Sequence, residues 1–179
     1  MLLMRVAGFL IAATAVLSGC DDPDKSFEGH GISFTYPGGW NEAEETSTAV
    51  SSGNQRWSES FGIDGNNFVS LTEYELNIEV GEENISELEQ EIGETIEQLT
   101  QQAGGSVDEG PSEVTMGGLP GFRFELSGVE AEGGTVASSI LLVFDGTTEY
   151  FLNCQFTDEH QDEIDEGCTQ IIDSFEVTQ

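Results

Sequence analysis

The apolar residues along this chain change their period several times, and each change marks an element. Residues 31–36 (GISFTY) alternate apolar and polar positions and stop at Pro37-Gly38-Gly39. Residues 68–76 (FVSLTEYEL) alternate again, and the Asp64-Gly65-Asn66-Asn67 cluster before them reads as a turn. Residues 56–61 are a shorter, more polar strand candidate with Trp57 and Phe61 on one face. The period then lengthens: Ile85, Leu88, Ile92, Ile96, Leu99 and Ala103 recur at steps of three and four, which predicts a helix over 84–103 with one apolar stripe. Ser86 and Glu89 have the spacing of a capping box, and Gly104-Gly105 should end the helix. Strands are expected over 121–126, 136–144 and 149–156, the last two forming a hairpin across Asp145-Gly146. Ile164, Cys168, Ile171 and Phe175 predict a final helix over 158–175, its first turns crowded with acids that favour the positive end of the helix dipole.

The first residues follow a different logic. Arg5 precedes an apolar run over 6–17, which has the layout of a secretory signal peptide and is too short for a spanning helix of roughly 20 residues. The run ends in Leu17-Ser18-Gly19-Cys20, which resembles a bacterial lipobox. This predicts a signal peptide over 1–19 and a lipid-modified Cys20 whose acyl chains (palmitate among them) anchor the chain to the extracytoplasmic face of the cell membrane. Two chains hold stably at about 0.8 kcal/mol per buried methylene, where one is marginal. Residues 20–26 (CDDPDKS) read as a tether, and 27–179 as a single domain.

Of three cysteines, one is consumed by lipid, leaving Cys154 and Cys168 as an even pair in an oxidising compartment. Strand period places Cys154 with Tyr150, Leu152 and Phe156, and helical period places Cys168 on the stripe of the last helix. A disulfide stapling that helix to the last strand is expected; the alternative is two unrelated buried thiols.

Charge narrows the partners. The chain has 35 acidic residues against 4 basic ones and a formal charge of −31. Nucleic acid is excluded, because phosphate binding rests on Lys and Arg that displace counterions. Anionic lipid surfaces are opposed for the same reason. Such self-repulsion is tolerable in high salt, where the screening length falls from about 10 Å to about 3 Å. A salt-adapted source and an ordinary acidic extracytoplasmic protein both fit.

Chemistry is sparse. His30, beside the first strand, has no nucleophile elbow or other triad motif to serve. His160 sits among Asp158, Glu159, Asp162 and Glu163, which reads better as a solvated helix start than as a metal site. The Asp64–Asn67 segment lacks the spacing and closing Glu of a calcium loop. Trp40 and Trp57 are candidate stacking residues, with core packing the stronger reading for Trp40. No cofactor and no metal are expected.

Residues 27–40 (FEGHGISFTYPGGW), with their Gly-apolar-x-Phe-x-Tyr-Pro-x-x-Trp order, resemble the opening of the PsbP-like family, which includes bacterial lipoproteins of the LpqN and DcrB types. Ile171-Ile172-Asp173-Ser174-Phe175 resembles that family's closing helix. The resemblance implies an α+β fold, a central antiparallel sheet with helices packed on its faces, and an accessory or binding role without enzymatic activity. Nothing in the chain matches residues for photosystem docking. The expectation is therefore a non-catalytic, membrane-anchored envelope lipoprotein that binds an unknown envelope protein, lipid or glycolipid. The rivals are a hydrolase of envelope or extracellular polymer and a purely structural acidic spacer. An apolar surface groove or patch of several hundred Å² would favour binding, and an open cleft holding His30 or two facing carboxylates with raised pKa would favour hydrolysis.

Overall fold

A computed structural model describes residues 22–42 and 54–178, so the predicted signal peptide and Cys20 lie outside the described residues. In chain order the elements are β1 (Lys25–Gly29), β2 (Ile32–Tyr36), β3 (Asn41–Glu42), β4 (Asn54–Asp64), β5 (Asn67–Val80), α1 (Ile85–Gln102), β6 (Ser106–Met116), β7 (Leu119–Ala131), β8 (Gly134–Phe156), α2 (Gln161–Ser174) and β9 (Glu176–Val177). The molecule is mostly antiparallel sheet with two helices. Three strands pair in the order β1-β2-β9, and six in the order β3-β4-β5-β8-β7-β6.

Strand alternation separates two cores. Val69 and Leu71 of β5 and Leu141, Val143 and Leu152 of β8 face the buried side of α2 (Ile164, Cys168, Ile171) and the inner residues of β2 (Ile32, Phe34, Tyr36). Tyr74, Phe122, Phe124, Ile140, Leu142 and Phe151 form the second core with Ile96 of α1. The larger sheet thus carries α2 and the small sheet on one face and α1 on the other. Burying one of these aliphatic or aromatic side chains contributes about 1.5–3 kcal/mol, so the alternation is what fixes the register.

Several elements differ from the sequence expectation. Strand β6 (SVDEGPSEVTM) was not foreseen, because it is a sheet edge, largely exposed, and carries acids and Pro111 in place of an apolar alternation. Strand β1 begins at Lys25, inside the expected tether. The cap of α1 is Asn84, not Ser86: the Asn84 Oδ1 accepts from the Gly81 N–H at 2.9 Å and its Nδ2 donates to the Glu79 carbonyl at 2.8 Å, fixing the turn that leads into the helix.

The strands expected at 136–144 and 149–156 run as one element, β8. Its first half pairs with β7 and its second with β5, and Gly146 itself pairs with Val80, so strand pairing continues through the expected turn. Leu141 and Val143 share a core with Tyr150 and Leu152, while Leu142 and Phe144 share the other with Phe151. The face parity therefore reverses once between the halves, where Gly146 adopts φ +61, a left-handed conformation favoured by glycine.

Candidate functional site

The apolar stripe of α1 does not meet the sheet evenly. Ile96 is fully buried, whereas Leu88 and Ile92, nearer the start of the helix, are only half-buried. On the facing strand, the pairing of β5 with β8 jumps from Glu75 to Val80 with a register shift, and Ile78 in that stretch is 53% exposed. Helix and strand end enclose a cleft of about 150 Å³ lined chiefly by Leu76, Ile78, Val80, Ile92, Ile96 and Phe144. Glu91 and Thr95 of α1 contribute its polar lining, together with the buried Glu149.

On the other core's side, the buried Glu73 carboxylate accepts from the Trp57 indole N–H at 2.8 Å and from Arg56 Nη1 at 3.3 Å. Arg56 Nη2 reaches Glu75 at 2.9 Å. Burial, reinforced by the charges of Glu73 and Asp145 and opposed by Arg56, pushes the Tyr150 hydroxyl up to about 12. Burial and the nearby Glu42 also raise Tyr36. With its donors in place, Glu73 anchors β4 to β5, which suits a structural role.

His30 sits in the β1–β2 turn with φ 53, its ring stacked 4.7 Å from Trp57 at an interplanar angle of 14° and its Nε2 3.4 Å from Glu59. These contacts set it on an aromatic edge beside Trp57. His160 precedes α2 and lies 3.5 Å from Glu163. Among the described residues no three His, Cys, Asp or Glu side chains gather as metal ligands. The Asp64 carboxylate is occupied by its own turn, accepting from the Asn66 and Asn67 N–H groups at 2.8 and 3.0 Å and from the Asn67 side-chain amide. Burial alone would raise its pKa, but these hydrogen bonds outweigh that and hold the carboxyl below its ordinary value.

No protein-family model matches the chain, and no curated protein matches it by sequence. Solved structures do match. The solution structure of cyanobacterial PsbP (CyanoP) from Synechocystis sp. PCC 6803 superposes with a TM-score of 0.58 at 10% identity, covering 93% of this chain and 98% of that one. The crystal structure of LpqN, involved in cell envelope biogenesis of Mycobacterium tuberculosis, gives a TM-score of 0.50 at 15% identity over 88% of this chain and 87% of that one. The chain has a PsbP-like fold. A Bacteroides thetaiotaomicron VPI-5482 protein also matches, with a TM-score of 0.54 at 17% identity over 87% of this chain, which spans about half the length of that protein (48%).

Within the PsbP-like frame, Cys154 of β8 and Cys168 of α2 are joined by a disulfide with Cα atoms 6.0 Å apart. Both are buried among the residues that pack α2 on the sheet. Trp40 is buried against Gly167 of α2, and Trp57 serves Glu73. The cleft itself was missed. Its one legible signal was Ile78, an apolar residue between Asn77 and Glu79 just past the strand expected from alternation. No helix among the described residues is long and apolar enough to cross a membrane.

Proposed function

We propose that this chain is a binding or accessory module of the cell envelope, without catalysis: an α+β sandwich held at the extracytoplasmic face of a membrane by lipid on Cys20. The observation that carries the reading is the apolar cleft beside α1, open through the exposed Ile78. A concave site lined by apolar side chains with a few polar groups at its edge suits the binding of a partner group. The likeness to LpqN, whose described involvement is in cell envelope biogenesis, supports the setting at the level of fold.

A photo-crosslinking residue at position 78, in the native envelope, tests the binding role against the same probe at Val177 on β9. A specific adduct from position 78 alone supports it. Release of soluble fragments from envelope polymer by the purified chain, abolished by His30→Ala, would replace it with the hydrolase reading. The anchor has its own test: Cys20→Ser should lose a metabolic palmitate label, and a labelled, membrane-held variant would remove the lipid anchor from the proposal.

A further inference from the structure

The size of the cleft limits what enters it. At about 150 Å³ it lies well below the roughly 300–1,000 Å³ of small-molecule sites. A cavity of about 150 Å³ accommodates a benzene-sized group. One aromatic or branched aliphatic side chain fills that space, and a few such buried anchors dominate protein interfaces.

The rim limits the partner's charge. Glu91 of α1 and the buried Glu149 line the cleft, and α1 carries no basic residue. The described cations are engaged elsewhere. Lys25 donates to the Trp40 carbonyl at 2.5 Å, Arg56 is held by Glu73 and Glu75, and Arg123 Nε lies 2.6 Å from Glu125. None of them lines the cleft. A second copy of a chain with formal charge −31 would be repelled, as would anionic headgroups.

We propose that the cleft is the anchor pocket of a protein–protein interface whose partner presents one apolar side chain on a lysine- or arginine-rich segment. This rests on the binding role proposed above and names the partner's chemistry. The anchor fills the pocket while the flanking cations meet the acidic rim, so the rim speeds and selects association and the pocket holds the complex.

Selection of a random peptide display library on the immobilised full chain tests this without a known partner. Ile78→Asn is the first variant, since an exposed side chain can change without opening the core, and Glu91→Gln is the second. The expected peptides carry one Phe, Trp, Leu or Ile flanked by Lys or Arg. Their affinity should fall roughly tenfold with Ile78→Asn and about two- to fivefold with Glu91→Gln, and should weaken in 1 M salt. Enriched peptides that need Ile78 but show no basic preference would overturn the partner's charge while sparing the binding role of the cleft. Absence of any Ile78-dependent peptide would overturn the interface. Retention on phosphatidylcholine vesicles that Ile78→Asn abolishes would also overturn it, in favour of a lipid.

Discussion

The Trp40 indole lies so close to Gly167 that a Cβ added at that glycine would overlap the ring. Trp40 is among the largest fully buried side chains, and Gly167 is a buried position of α2. The bulk of the ring and the absence of a side chain are therefore one design, which lets α2 settle on the segment that follows β2.

Helix propensity alone would make Gly→Ala favourable in both helices, by about 1 kcal/mol. At Gly93 of α1 an added Cβ would meet only Pro111 at 3.6 Å, an ordinary contact, so Gly93→Ala should stabilise by about 0.5–1 kcal/mol. At Gly167 the overlap with Trp40 outweighs propensity, and Gly167→Ala should destabilise by about 1–3 kcal/mol. Urea unfolding midpoints of the two variants should move in opposite directions.

Trp57→Phe preserves much of the aromatic surface against His30 but removes the donor 2.8 Å from the Glu73 carboxylate. A buried acceptor stripped of one partner costs about 1–3 kcal/mol. Pairing Trp57→Phe with Glu73→Gln in a double-mutant cycle should recover part of that loss, because the neutral amide tolerates the missing donor better. Purely additive effects would show that the two residues are not coupled.

The pKa of Asp64 is lowered on folding, so its contribution is present above the unfolded value near 3.8 and is lost as pH falls through the lower folded value. Asp64→Ala should cost about 1 kcal/mol at pH 7. Denaturant titrations of both proteins should show that gap closing below about pH 3.8. The sign is opposite for Tyr150, whose hydroxyl is raised to about 12. Its contribution is complete below its unfolded value of about 10 and is lost as pH rises toward about 12, a loss absent from Tyr150→Phe.

Reduction of Cys154–Cys168, which are separated by 14 positions, should lower stability by about 3 kcal/mol in the chain-entropy account. Hydrogen exchange should quicken first in α2, the element the bridge ties to β8. Non-reducing mass spectrometry that finds two free thiols would count against the bridge.

The sequence revealed those elements whose burial is one-sided. Ile32, Phe34 and Tyr36 of β2 stand on a single face, as do Ile164, Cys168 and Ile171 of α2, and period alone located both. The resemblance at residues 27–40 and 171–175 led to the PsbP-like fold that the solved structures match. Strand β6 escaped because an exposed edge has no reason to alternate apolar residues. The two halves of β8 were found, but their union depends on the pairing of Gly146 with a residue of a distant strand. The cleft escaped for a related reason: its walls are Ile78 and Ile92, from two elements whose separation no local pattern encodes.

The two ladders of β8 also govern the order in which this chain can fold. The β4–β5, β6–β7 and β7–β8 hairpins are local and can close early, but β5 has no partner on its inner edge until the second half of β8 arrives to join Phe68 with Gln155. The small sheet waits longer still, since Ile32 pairs with Val177. Contacts of such sequence separation carry a large loop-closure entropy and slow the search for the native state. A chain emerging N-terminus first therefore stays open along its β5–β8 seam until the second half of β8 is free.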